Sequence, residues 1–275
     1  QDGHRLARGH PASHLVPVLL ALGERLDAGV EALMSAFVGG YEAGTRIGVA
    51  LGGLRAPLHD GGSWATVGAA AAGTKLLGGD AARIATALES AATLAPLAWR
   101  DTVSRGATVH HLFIGIGAST ALVTAQSALA GLEAIPGTIE AFFGPRAGAR
   151  FDATQLLAGV DAGDRWSHYE LHEAYFKWHP VCAHFSGLAD ALDDAQREFA
   201  RGHGRALRHA DVRRVEVSLY GTALEYDTPC PTNDLAARFS AAAIVYAAFD
   251  PAGLRGAALA RACRDATARE WLSRV

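Results

Sequence analysis

Hydrophobic and polar positions recur with a helical period over most of the chain. Gln1 to Gly9 is polar, His10-Pro11 then stands where a helix can open, and Leu15, Val18, Leu19, Leu22 and Leu26 follow three and four apart. That spacing predicts an amphipathic helix, which Pro17 bends or truly begins. From Val30 to Leu51, Leu33, Phe37, Tyr41, Gly44 and Gly48 alternate bulk with small residues, the pattern of a helix pressed between others. Glu42 and Arg46, four apart, should pair there as a structural feature. Small residues from Ala65 to Gly73 predict a helix lying very close to its neighbours, with Ser63 as its cap. Asp80 caps the next helix, which carries Ile84, Leu88, Ala91 and Ala92 and meets Pro96. A further helix runs to about Ala130, and Thr138 to Phe143 is a short one stopped by Gly144-Pro145. No period-2 run of useful length occurs up to this point.

The pattern changes after Asp164. Tyr175 to Pro180 is aromatic and extended in flavour, and Phe185 to Arg201 is an amphipathic helix. Val212 to Tyr220 alternates apolar and charged residues, the one strong strand signal, and a helix from about Leu235 to Phe249 follows a Pro- and Asp-rich loop. The expected organisation is a mainly α protein: a helical domain over 1–164 and a smaller α+β lid domain over 165–275.

Composition narrows the function. With 275 residues, 50% of them hydrophobic, the chain can bury a large core, and a net charge of -3 offers no basic field for nucleic acid or an anionic membrane surface. Lys75 and Lys177 are the only lysines. Cys182, Cys230 and Cys263 are odd in number and form no C-x-x-C pair, which argues against a disulfide framework or a thiolate zinc site and for a reducing, cytoplasmic setting. The reading finds no secretory leader and no apolar run long enough to span a bilayer. The sequence begins with Gln1, consistent with a processed, truncated or partial chain.

The chemistry centres on Leu58-His59-Asp60-Gly61-Gly62-Ser63-Trp64, a glycine-loosened loop that puts a histidine just ahead of a helix start. Backbone N–H groups and the helix dipole favour an anion there; the competing reading is a solvated surface turn. His168 and His172 have a spacing that can bind zinc, although Glu170 is misplaced for His-Glu-x-x-His. His184, His203 and His209 read as solvated.

Taken together, His10-Pro11-Ala12-Ser13, Gly40-Tyr41-Glu42, Leu58-His59 followed by Thr66 to Ala72, Lys75 to Gly78, Phe176-Lys177-x-x-Pro180-x-Cys182 and Arg238-Phe239-Ser240 resemble the ordered motifs of the MmgE/PrpD family. That family includes 2-methylcitrate dehydratases, cis-aconitate decarboxylases and iminodisuccinate epimerases. The resemblance implies a large helical domain with an α+β lid, an active site between them, a homodimer, and no metal or organic cofactor. Relatives extend further at both ends, so the sequence is expected to be incomplete or a cut-down member.

Carried over by position, His10 and His59 match the two active-site histidines, Lys177 a lysine opening the lid, and Tyr226 lies near the lid tyrosine. Asp2 and His4 fall in the polar stretch before the first histidine, and His110 stands where relatives often present a lysine or arginine. The resemblance implies a cofactor-independent, dehydratase-like lyase on a small di- or tricarboxylate, with an epimerase, a decarboxylase or a truncated binding protein as alternatives. His59 is the expected base, because a neutral imidazole suits proton removal near neutral pH. His10 is expected as second acid/base or orienting group, Tyr226 as an acid, and Lys177, His110, Asp2, His4 and the helix start at Ser63 as carboxylate-binding groups.

Overall fold

The computed structural model describes residues 2–163 and 165–275. The chain runs β1 (Asp2–His4), α1 (Ala12–Leu26), α2 (Val30–Ala50), β2 (Leu58–His59), α3 (Trp64–Leu76), α4 (Ala81–Leu94), β3 (Ala98–Trp99), α5 (Asp101–Ser104) and α6 (His110–Leu129). There follow α7 (Gly144–Ala147), β4 (Ala174–Phe176), α8 (Ser186–His203), α9 (Gly221–Tyr226), α10 (Asp234–Ala237), α11 (Ala241–Ala248), α12 (Gly256–Arg264) and α13 (Ala266–Leu272). The fold is mainly helical, with two small antiparallel pairs, β1 with β4 and β2 with β3. Contacts divide the chain into one unit of residues 1–100 and 111–176 and another of 101–110 and 177–275. The division falls after Phe176, later than residue 164, because Ala174–Phe176 pairs with Asp2–His4 at the other end of the first unit.

In the first unit α3 is the central helix, buried from Trp64 to Thr74 without a polar face. Its small residues admit α2 closely: a Cβ on Gly68 would stand 2.4 Å from the Gly40 carbonyl oxygen and 2.7 Å from the Gly44 Cα. The axes therefore approach as only glycine allows, and the alanines between fill the seam at interior density. α1 opens after Pro11 and passes through Pro17 without a break. Asp80 caps α4 by accepting the Arg83 N–H at 2.9 Å. Gly144-Pro145 does not stop the short helix before it; a π-helical turn over Ile139–Phe143 runs into α7, with Pro145 in the first turn where its missing N–H is harmless.

Glu42 and Arg46 pair at 3.2 Å, but inside the unit, with side chains 4% and 2% exposed. Glu42 also accepts the backbone N–H groups of Glu170 and Leu171, and Arg46 donates to the carbonyls of Ala158 and His168 and stacks over Trp166 at 4.0 Å. The pair ties the irregular 158–171 segment to α2.

α6 corrects the expectation about apolar runs: residues 110–129 contain no Asp, Glu, Lys or Arg and are long and apolar enough to cross a membrane by length and composition. One face of this helix packs within the first unit through Gly117, Ala121, Thr124, Ala125 and Ala128.

The second unit has its own core, built on Phe185 and Leu192, on Ile244 and Val245 of α11, and on Leu259 and Trp271. The strand expected over Val212 to Tyr220 does not form; the stretch is extended but irregular. Its alternation is real, since Val212, Val215, Val217 and Leu219 pack on the core while the residues between face outward. A strand also needs a ladder, and along this edge the backbone meets Arg274 instead, whose carbonyl accepts the Val215 N–H at 2.8 Å and whose guanidinium donates to the Val212 carbonyl. The helix expected over Leu235 to Phe249 is broken into α10 and α11, capped by Asn233 and Ser240.

Candidate functional site

The site is built where the turn before α1 meets the loop before α3. His59 ends β2, and the next residue, Asp60, turns back toward His10. Both the backbone N–H and Nδ1–H of His10 donate to one oxygen of Asp60, Oδ2, at 2.9 and 2.7 Å. The other oxygen, Oδ1, lies 3.3 Å from Nδ1 of His59. Gly9 is required for this approach, because a Cβ there would stand 2.7 Å from Asp60 Oδ2 and 2.6 Å from the Trp64 ring. Asp60 is buried. Burial alone would raise its pKa, but the His10 and His59 rings and the His10 hydrogen bond together hold the carboxyl well below the usual carboxylate range.

The hydrogen bonds assign the tautomers. His10 spends its Nδ1 proton on Asp60, which leaves Nε2 with a lone pair; that atom is buried and has no hydrogen-bond partner among the described residues. His59 Nδ1 accepts the Gly61 N–H at 3.0 Å, so the proton of its neutral ring sits on Nε2.

A third histidine supports the loop. His14 Nε2 accepts the Gly62 N–H at 2.9 Å, its Nδ1 meets Ser13 Oγ at 3.1 Å, and that hydroxyl donates to the His10 carbonyl at 2.6 Å. Burial pushes the His14 pKa down to about 4, so the ring stays neutral. The N–H groups of Gly61 and Gly62 are thus taken by imidazole nitrogens and are not offered to an anion. Ser63 is fully buried and does not cap α3, since its hydroxyl donates to the Asp60 carbonyl at 2.6 Å. It shapes the loop and is not a carboxylate-binding group.

Residues 1–148 match the MmgE/PrpD N-terminal domain. The chain belongs to the MmgE/PrpD family. No curated protein matches it. The family includes dehydratases, and the matched span contains the whole His10, Asp60 and His59 cluster. In this MmgE/PrpD chain Asp60 and His14 are the site's unforeseen members. The signal for Asp60 was its place beside His59; nothing in the sequence marked His14, whose partner is 48 positions away.

The remaining candidates are placed as follows. Asp2 Oδ2 accepts the Ala12 N–H at 3.1 Å and so holds the start of α1; burial raises its pKa. His4 has both ring nitrogens engaged, Nδ1 by the Ala7 N–H at 3.1 Å and Nε2–H by the Glu170 carbonyl at 3.0 Å. It fastens the first strand and has no nitrogen left for a ligand, which corrects its expected binding role. His110 opens α6, with its backbone N–H bonded to the Ala107 carbonyl. Lys177 lies in the second unit, half-buried between the exposed Phe176 and Trp178.

Tyr226 ends α9, and its ring stacks on His184 at 5.0 Å and on Phe239 at 6.1 Å. His184 is itself hydrogen-bonded through Nδ1 to the Tyr220 hydroxyl, so it belongs to an aromatic cluster and is not a solvated histidine. His209 also departs from that reading: its Nε2 bonds the Tyr246 carbonyl at 2.8 Å, and its ring packs on Tyr246, Phe249 and Trp271. His203 stacks on Phe199 at an exposed position. Among the described residues no group of three His, Cys, Asp or Glu side chains could hold a metal, and His168 and His172 assemble no such group.

Proposed function

We propose that this MmgE/PrpD chain is a cofactor-independent lyase that eliminates water from a small di- or tricarboxylate, with its acid/base pair drawn from His10 and His59. The observation that carries the reading is one ionised carboxylate, Asp60, which accepts both the backbone N–H and the Nδ1–H of His10 and leaves that ring's buried Nε2 as an acceptor. Asp60 orients His10 and stabilises the imidazolium it becomes, the service an aspartate gives a histidine in hydrolytic triads. His10 Nε2 is therefore the proposed base, in place of His59. It takes the proton from the carbon next to a substrate carboxylate, and the released electron pair becomes the carbon–carbon double bond. The departing hydroxide takes the Nε2 proton of His59 and leaves as water. A positioned base contributes on the order of 10²–10⁴-fold.

Lys177, His110 and Tyr226 enter the proposal on the family resemblance, as the carboxylate-holding groups and a further acid. A cytoplasmic setting is proposed from the free cysteines Cys182, Cys230 and Cys263. The test is turnover of methylcitrate, cis-aconitate and an imino-diacid in deuterated solvent. Formation of an alkene from methylcitrate, lost in both His10→Ala and His59→Ala, is the expected result. Solvent deuterium entering recovered substrate without elimination identifies an epimerase, and inertness toward all three removes the proposal.

A further inference from the structure

We infer that His14 is a positioning residue for the proposed base: it closes a one-directional chain of hydrogen bonds that fixes the turn carrying His10 against the loop carrying Asp60. The inference rests on His10 Nε2 being the proton acceptor of the reaction proposed above. The Gly62 N–H donates to His14 Nε2 at 2.9 Å, which puts the proton of this neutral ring on Nδ1. Ser13 Oγ lies 3.1 Å from that Nδ1 and gives its own proton to the His10 carbonyl at 2.6 Å, so toward His14 it can only accept. Each donor is used once, and all point from the Asp60 loop toward His10. Hydrogen bonds ordered in this way polarise one another, so cutting one link weakens the rest.

Both ends of the chain are anchored at the site. His10 is held from two sides, its carbonyl by Ser13 and its N–H and Nδ1–H by Asp60. Gly62, at φ +86°, donates to His14 and accepts from Thr66 Oγ1 at 2.7 Å. The packing around the ring leaves it one place to stand. His14 is fully buried, and α6 makes room for it at Gly117, where a Cβ would lie 2.9 Å from His14 Cδ2, 2.5 Å from Thr66 Oγ1 and 3.0 Å from Gly62 Cα. An apolar side chain would fill a buried helix position at less cost, as Leu15, Val18 and Leu22 do on the same helix. An imidazole there is repaid by joining two backbones through a rigid ring that accepts at one end and donates at the other. Its service to His10 is orientation, and a displacement of about 1 Å at a reacting group can cost on the order of 10²-fold in rate.

Nitrogen–proton correlation spectra of the histidine rings in the full chain, at about pH 8, above the reference histidine value, test this with or without turnover. The wild type should show His10 as a single Nδ1–H tautomer. Ser13→Ala and His14→Leu should each move His10 toward a mixture of tautomers, with unchanged far-UV circular dichroism. His14→Gln, whose amide can accept from Gly62 and donate to Ser13, should keep the wild-type pattern. In methylcitrate turnover, Ser13→Ala and His14→Leu should each lower kcat by about 10- to 100-fold with KM held within about 2-fold. The double variant should fall no further than the worse single one, because both cut the same chain. A His10 ring that keeps its Nδ1–H tautomer in both folded single variants overturns the inference, and so do losses that multiply in the double variant. A wild type that shows the tautomer shift on substitution but is inert toward methylcitrate removes the lyase reading and keeps the positioning of His10.

Discussion

Two buried charged clusters of the first unit have opposite characters. Around Glu42 and Arg46, both carboxylate oxygens and all three guanidinium nitrogens are hydrogen-bonded, mostly to backbone of the 158–171 segment. Around Asp60, one carboxylate oxygen accepts twice from His10, and Nε2 of that ring is left buried without a partner among the described residues. A saturated network holds a chain in place; an unsaturated one keeps chemical capacity in reserve.

The largest effects should divide along that line. His10→Ala should lower kcat by about 10²–10⁴-fold, and it should also lower the thermal midpoint, because the buried Asp60 carboxylate loses its imidazole partner; turnover and calorimetry on the same preparation read both. Glu42→Ala strands a buried guanidinium and should cost about 3–5 kcal/mol in urea unfolding. The isosteric changes sharpen the contrast. Asp60→Asn should reduce kcat far more than stability, and Glu42→Gln should do the reverse; equal behaviour of the two would erase the distinction.

Acid should act on the Asp60 side first. Below about pH 6.5 the unfolded chain takes up a proton at His14, while the folded chain holds off to about pH 4. Stability should therefore fall by up to about 3 kcal/mol as pH drops through that window, and then level off for this group. A His14→Asn variant, followed by denaturant unfolding across the same range, should lose most of the slope. The smallest effect is at Trp166, whose ring lies 4.0 Å from the Arg46 guanidinium carbon. Trp166→Leu should cost about 1–2 kcal/mol and leave turnover unchanged.

Local rules made much of this legible. The small residues of α3 foretold the close seam at Gly40, Gly44 and Gly68, Asp80 foretold a cap, and helical spacing paired Glu42 with Arg46. What the spacing could not convey was that the pair is buried, because the backbone it serves lies more than a hundred positions away. Resemblance supplied His10 and His59 as candidates but not the carboxylate beside them, since its bond to His10 spans 50 positions and needs the close approach that a residue without a side chain at position 9 allows. At Val212 to Tyr220 the alternation correctly gave a buried face and wrongly implied a ladder, for which a sequence pattern names no partner. Ser63 and His4 show the converse error: polar residues near a site, claimed by the backbone before any ligand could use them.

The bare Cα at Gly9 has a consequence for how such a protein can change over generations. Trp64 anchors the central helix and Asp60 sets the imidazole, and both crowd the same missing methyl. Any drift that added one carbon there would disturb hydrophobic packing and the His10–Asp60 hydrogen bond at a stroke.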